Sequence, residues 1–295
     1  MANPLVADAD VVVHLADFVD DQQYLFFAPV STVWTKAWGR RPKATRAVMA
    51  HTTVPQLCQS LRSGLKQRSA VCESAASLGR LDLLQCARAC DCPWPTSLYR
   101  KAAAGGHVDI MEWARTENCP LEMDTCHEAA YAGHLSAVQW AHANGCPSDE
   151  ETCRMAAHGG HLAIVKWLRS NGCQWDESTC DSFAWSGHLT GLKWARANGC
   201  PWNEYTCYSA ASGGHLEVLQ WARASGCRWN QMTCERAASK GHLDILQWAR
   251  LNGCPWDQGT CRAAARGGHL ELLQWACEHG CPWDEKTCSS AARAG

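Results

Sequence analysis

The sequence predicts an all-α solenoid of stacked helix-turn-helix repeats. Three observations carry that expectation. A Gly-His step returns every 27 residues, at His107, His134, His161, His188, His215, His242 and His269. A fixed period of this size marks units that pack mainly on their neighbours. Within each unit, small and apolar residues recur at helical spacing. Gly and Cys-Pro-Trp punctuate the stretches between them. An eighth unit lies one period earlier, with Arg80 in the histidine place.

The unit from Trp202 to Cys227 shows the plan. Helix A begins after Asn203, where Asp or Asn recurs (Asp176, Asn203, Asn230, Asp257, Asp284). Such a residue caps the free N–H groups of a first turn. Cys207, Ala210, Ala211 and Gly214 then fall at i, i+3, i+4 and i+7, a face of small residues that allows close stacking of helices. Helix B starts at Gly214-His215. Leu216, Val218, Leu219 and Trp221 are its expected bulky core. Acids in its first turn (Asp82, Glu217, Asp244, Glu271) and arginines in its last (Arg169, Arg196, Arg223, Arg250) suit the helix dipole. Asn-Gly closes it, as at Asn198-Gly199, and Pro cannot continue the helix beyond.

Thr206, Ala210-Ala211, Gly214-His215-Leu216-Glu217-Val218 and Gly226 resemble the ankyrin repeat run T-P-L-H-x-A-A-x-x-G-H-L-E-V with its later G-A. The family period is about 33 residues. About six are missing here, mostly between Gly226 and Thr233, where the family carries a β-hairpin finger. The resemblance covers roughly residues 70 to 295. It implies an ankyrin-like solenoid with shortened loops: eight helix pairs across 72–295 and a ninth helix A from Thr287, ending one residue short of the expected histidine. It also implies a protein-binding scaffold with helix A on the concave side.

Composition excludes several other classes. Net charge is −2, and the one basic run (Arg40, Arg41, Lys43, Arg46) reads as a solvated linker, so no nucleic-acid partner is expected. No run of ~18 apolar residues exists, so no membrane span is expected. The N-terminus lacks a basic region followed by an apolar one, so no signal peptide is expected. Twenty cysteines in such a chain point to reduced thiols in the cytoplasm or nucleus. Sixteen tryptophans stand beside four phenylalanines because the repeat gives Cys and Trp fixed slots.

Each unit offers Cys-x6-Cys-x7-His, as in Cys119, Cys126 and His134, and all three are zinc ligands by chemistry. A zinc-binding repeat array is therefore one reading. The other takes the cysteines as small buried hydrophobes. Tyr99 replacing Cys and Arg80 replacing His favour the second, and the histidine is expected to hydrogen-bond backbone. No metal or cofactor is assigned. No catalytic constellation is found either, since Thr, Cys and His recur identically in every unit whereas an active site is one place on a fold. Cys58, Cys86, Cys90 and Cys277 lie outside the periodic slots, and Cys86 stands where other units carry Trp.

The second, third and sixth residues after Thr in helix A vary from unit to unit. They read His127, Glu128, Tyr131; Arg154, Met155, His158; Asp181, Ser182, Trp185; Tyr208, Ser209, Ser212; Glu235, Arg236, Ser239; Arg262, Ala263, Arg266. The expected protein-binding face is Tyr131, Arg154, Met155, His158, Asp181, Trp185, Tyr208, Arg236, Arg262 and Arg266, with Trp185 as its anchor. One unit departs in its core: Phe183 takes an Ala slot and Gly191 an aliphatic one, so the two are expected to touch.

The N-terminal residues 1–50 lack the repeat. Val12, Val13, Leu15, Phe18, Val19, Tyr24-Leu25-Phe26-Phe27 and Val30-Ser31-Thr32-Val33-Trp34 resemble an F-box, although its Leu-Pro opening is missing. The resemblance implies a substrate-receptor subunit of a cullin-type ubiquitin ligase, with Leu15, Phe18, Val30 and Trp34 on the adaptor. A plain helical cap on the first repeat is the alternative. Residues 51–71 are expected to form a helical bridge or capping half-unit around Leu57, Leu61 and Leu65.

Overall fold

The computed structural model describes residues 52–62 and 68–294. Among them are eighteen helices and no strand. The fold is an all-α repeat solenoid. The F-box-like segment and the basic run lie outside the described residues. No helix among the described residues is long and apolar enough to cross a membrane. The chain divides into two compact units, one through Ala129 plus Gln139–Cys146, the other Ala130–Val138 plus Pro147 onward.

The first unit opens with α1 (Val54–Arg62), followed by the pairs α2 (Arg68–Ser77) with α3 (Leu81–Ala89) and α4 (Leu98–Ala104) with α5 (Val108–Thr116). It shares α6 (Thr125–Ala132) and α7 (Leu135–Ala143) with the second unit. Leu57 and Leu61 of α1 are buried, as are Leu83, Leu84 and Cys86 of α3. Tyr99 sits fully buried in a cysteine slot; its hydroxyl donates to Cys119 O at 3.3 Å and its ring stacks on Trp140. Cys58 and Cys86 are joined by a disulfide. This corrects the expectation that every cysteine is reduced, because α1 packs on α3 and places two off-register sulfurs together.

The second unit holds α8 (Glu150–His158), α9 (Leu162–Ser170), α10 (Glu177–Trp185), α11 (Leu189–Ala197), α12 (Glu204–Gly213), α13 (Leu216–Ala224), α14 (Gln231–Lys240), α15 (Leu243–Leu251), α16 (Gln258–Arg266), α17 (Leu270–Glu278) and α18 (Glu285–Ala294). The even-numbered members are helix A of each pair. Successive helix A's pack closely, α10 on α12, α12 on α14 and α14 on α16. Their facing residues are Cys and Ala with no exposure (Cys207, Ala210, Ala211; Cys234, Ala237, Ala238). With so little side chain between them, the axes can approach.

The caps follow from local chemistry. Asp176, Asn203, Asn230 and Asp257 accept from the backbone N–H two residues on, at 2.8–3.0 Å. Asp149 forms a reciprocal capping box with Thr152. Helix B ends in a Schellman motif, shown by α11. Cys200 N–H donates to Ala195 O, Gly199 N–H donates to Arg196 O, and Gly199 takes φ +84°. The Asn198 amide donates back to Trp194 O at 2.8 Å.

Two core assignments need correction. Trp221 and Leu216 are only half-buried, while Val218, Leu219 and Ala222 fill the interior. The helix-B tryptophan instead meets the loop tryptophan edge-on or tilted, as Trp202 and Trp221 do at 5.8 Å, and Arg196 lies 4.3 Å over Trp202 while donating to Cys200 O. The last-turn arginine is thus a clamp on the loop as well as a charge at the dipole. Gly214 is not part of the small face of helix A. It ends that helix in the left-handed region at φ +82°.

That position explains the Gly-His step. A Cβ on Gly214 would lie 2.7 Å from His242 Cε1, and one on Gly241 would lie 2.6 Å from His269 Nδ1. Each imidazole therefore covers the glycine 28 residues earlier, in the preceding repeat. The expected backbone bond is present too. His161 Nε2 donates to Tyr131 O at 3.0 Å and His269 Nε2 to Ser239 O at 3.3 Å, both in the preceding helix A. A carbonyl only accepts, so the proton sits on Nε2.

Candidate protein-interaction site

The variable stripe is narrower than the sequence suggests. Ser182, Ser209 and Ala263, all third-position residues, are buried between helix A's. Met155 and Arg236 at the same position are half-buried. The exposed side chains, Tyr131, Trp185 and Arg266, lie at the sixth position, beside half-buried residues of the second position. The two positions sit one helical turn apart, so they line up from repeat to repeat.

Aromatic rings of the sixth position stack on one another. Tyr131 and His158 have centroids 5.6 Å apart, His158 and Trp185 4.6 Å apart, with interplanar angles of 27° and 16°. Tyr131 remains 48% exposed and Trp185 46% exposed. Burial, and then the charge of Arg154, hold the His158 pKa below its ordinary value. The middle ring of the ladder is therefore a neutral imidazole at pH 7.

Beside the ladder lies a cavity of about 300 Å³ lined by Arg154, His158, Asp181, Trp185 and Ser209 among others. Arg154 pairs with Glu151, its Nε 2.6 Å from Oε2, and its guanidinium also reaches Met155 Sδ at 3.8 Å. Asp181 is tucked deeper. Thr206 Oγ1 donates to its Oδ1 at 2.7 Å. Burial is the main cause that pushes the Asp181 carboxyl up to about 6, opposed by the Thr206 bond and aided by Glu177 and Asp176.

A stability signature follows. The folded-state pKa of Asp181 lies above the unfolded value, so its favourable contribution is full below pH ~4 and is lost as pH rises through about 6. Asp181→Asn keeps an oxygen for Thr206 without the charge. Its melting-temperature advantage over wild type should grow between pH 4 and pH 7.5 in thermal unfolding. A pH-independent difference would contradict this placement of Asp181.

The remaining expected residues are spread further along the stack. Arg236 lies over the Tyr208 ring at 4.9 Å, Arg262 pairs with Asp284 at 3.4 Å, and Arg266 is exposed. Leu15, Phe18, Val30 and Trp34 lie outside the described residues.

The periodic cysteines are placed differently from the Cys-x6-Cys reading. The sulfur of helix A meets the one 20 residues later, at the end of its own repeat; Cys153 and Cys173 Sγ are 3.3 Å apart. The loop thiol donates onward to the cap carbonyl of the same repeat, as Cys227 does to Asn203 O at 3.1 Å and Cys173 to Asp149 O at 3.1 Å. These thiols therefore fasten each repeat shut, which an alanine could not do. Hydrogen bonding to the partner thiol, and then burial, raise the pKa of Cys180, Cys207 and Cys234, so they stay protonated. The repeat histidines do not join them. Among the described residues, the one group of three donor atoms close enough to share a metal is Cys58, Cys86 and Cys90.

Stacked helix pairs capped by Asp or Asn, closed by Schellman turns and locked by a Gly-His step define a helical repeat protein. The family model described as ankyrin repeats (many copies) matches residues 126–169. The repeats on either side of that match keep its Gly-His step at a period of 27 residues, so the chain is similar to ankyrin repeats over this stretch. Among solved structures, the crystal structure of the human ASB11 ankyrin repeat domain is similar, with a TM-score of 0.43 and 20% identity over 53% of this chain and 84% of that one. No curated protein matches.

Proposed function

We propose that the chain is a non-catalytic scaffold that binds a protein partner on the variable face of helix A, centred on Trp185. The ladder of Tyr131, His158 and Trp185 carries this reading. Half-exposed aromatic rings, held rigid by stacking beside a cavity, match the anchors found at the centre of protein interfaces. Ankyrin repeats point to the same class of function.

The test compares proteins captured from cells by three tagged full-length chains. Tyr131→Ala/Trp185→Ala should lose at least one partner that wild type retains. Leu251→Ser, a change at an 86%-exposed helix-B residue, should keep it. Equal loss or equal retention by the two variants argues against this face. A second reading rests on Val30-Ser31-Thr32-Val33-Trp34: the chain is then a ubiquitin-ligase receptor. Binding of the ligase adaptor to the full chain, abolished by Trp34→Ala, is its test.

A further inference from the structure

Three cysteines outside the repeat slots converge. Cys58 comes from α1, while Cys86 and Cys90 stand one turn apart at the end of α3, and their sulfurs all lie within 4.8 Å of one another. Two of them replace residues that the other repeats hold in place. The Cys86 slot is Trp in every later repeat (Trp113, Trp140, Trp167, Trp194, Trp221, Trp248, Trp275). The Cys90 slot is polar in each of them, as at Asn144, Asn171 and Asn198. A single repeat has thus changed two side chains to cysteine, and the preceding helix supplies a third at the same point. The periodic thiols, by contrast, occur mostly as buried pairs such as Cys153 and Cys173.

We infer that Cys58, Cys86 and Cys90 form a thiolate site for Zn²⁺. With the Cys58–Cys86 bond reduced, three sulfurs this close can take three corners of a tetrahedral zinc site, with the fourth left to water or another donor. Cys86 is only 8% exposed and the other two are half-buried, so the cation is shielded yet reachable. The Cys58–Cys86 disulfide closes the site by consuming two ligands. A dithiol reductant opens it: two electrons and two protons convert the disulfide to two thiols while the reductant becomes its own disulfide. Zinc then displaces one proton from each of three thiols, so binding weakens as pH falls.

The experiment uses the full chain, reduced and then freed of reductant under argon. Zn²⁺ is titrated against a chromophoric chelator, and Co²⁺ is used as a spectroscopic stand-in. The expected result is one tight equivalent with a thiolate-to-cobalt charge-transfer band. Both should be lost in Cys90→Ser and in Cys58→Ser/Cys86→Ser/Cys90→Ser. They should survive Cys277→Ser/Cys288→Ser, which removes the two exposed cysteines. Should the triple variant fail to fold, Cys90→Ser alone, at a half-buried helix end, decides. No tight zinc in the reduced wild type, or equal zinc in Cys90→Ser, overturns the site.

Discussion

Phe183→Ala should destabilise the chain by about 3–5 kcal/mol, the cost of emptying a buried phenyl site. Phe183 has no exposure. Its ring occupies the space that an aliphatic side chain fills in other repeats: a Cβ built on Gly191 would lie 2.6 Å from Phe183 Cδ1. Large and small residues have exchanged places between α10 and α11. Gly191→Val alone should also destabilise, by ~1–3 kcal/mol of overpacking. The pair Phe183→Ala/Gly191→Val restores the pattern of the neighbouring repeat and should recover most of the loss. Urea midpoints of the four proteins give the coupling directly. Additive costs would mean that the two sites do not share one space.

Gly214→Ala is the second large effect. Alanine at φ +82° pays ~1–2 kcal/mol for the left-handed region. Its methyl group also meets the His242 ring, which the next repeat holds there. We expect a total of about 2–4 kcal/mol once this overlap is included. Gly199 is the internal control. It has the same sign of φ, at +84°, but nothing within 4 Å of a built Cβ. Gly199→Ala should therefore cost only the backbone share, and the difference between the two variants measures the imidazole contact. Equal losses would show that His242 contributes nothing at this step.

These comparisons show where the sequence was readable. Caps and turns depend on residues a few positions apart, so Asn203, Asn198 and Gly199 announced their roles. The exchange of Phe183 and Gly191 was legible because one repeat could be set against its neighbours. Contacts that cross a repeat boundary were not. The histidine covers a glycine 28 residues back, and a period of 27 makes both look merely invariant. The cysteines read correctly as small buried residues, but their partners were not legible: Cys153 meets Cys173, not Cys146, because helix B must return before the sulfurs meet. On the candidate face, side-chain identity marked Trp185. Which variable positions point outward was not legible, since close stacking of helix A's buries Ser182 and Ser209. The cluster of Cys58, Cys86 and Cys90 was visible only as three departures from the slots, and the packing of α1 on α3 joins them.

The most direct measurement of the proposed function is site-specific photo-cross-linking in cells. A benzophenone amino acid at Trp185 and, separately, at Leu251 probes the helix A face against an exposed helix-B position. The expected result is a discrete cross-linked protein at 185, absent at 251, and competed away by excess wild-type chain but not by the Tyr131→Ala/Trp185→Ala variant. No product at 185, or the same products at both positions, would contradict a binding face built around Trp185.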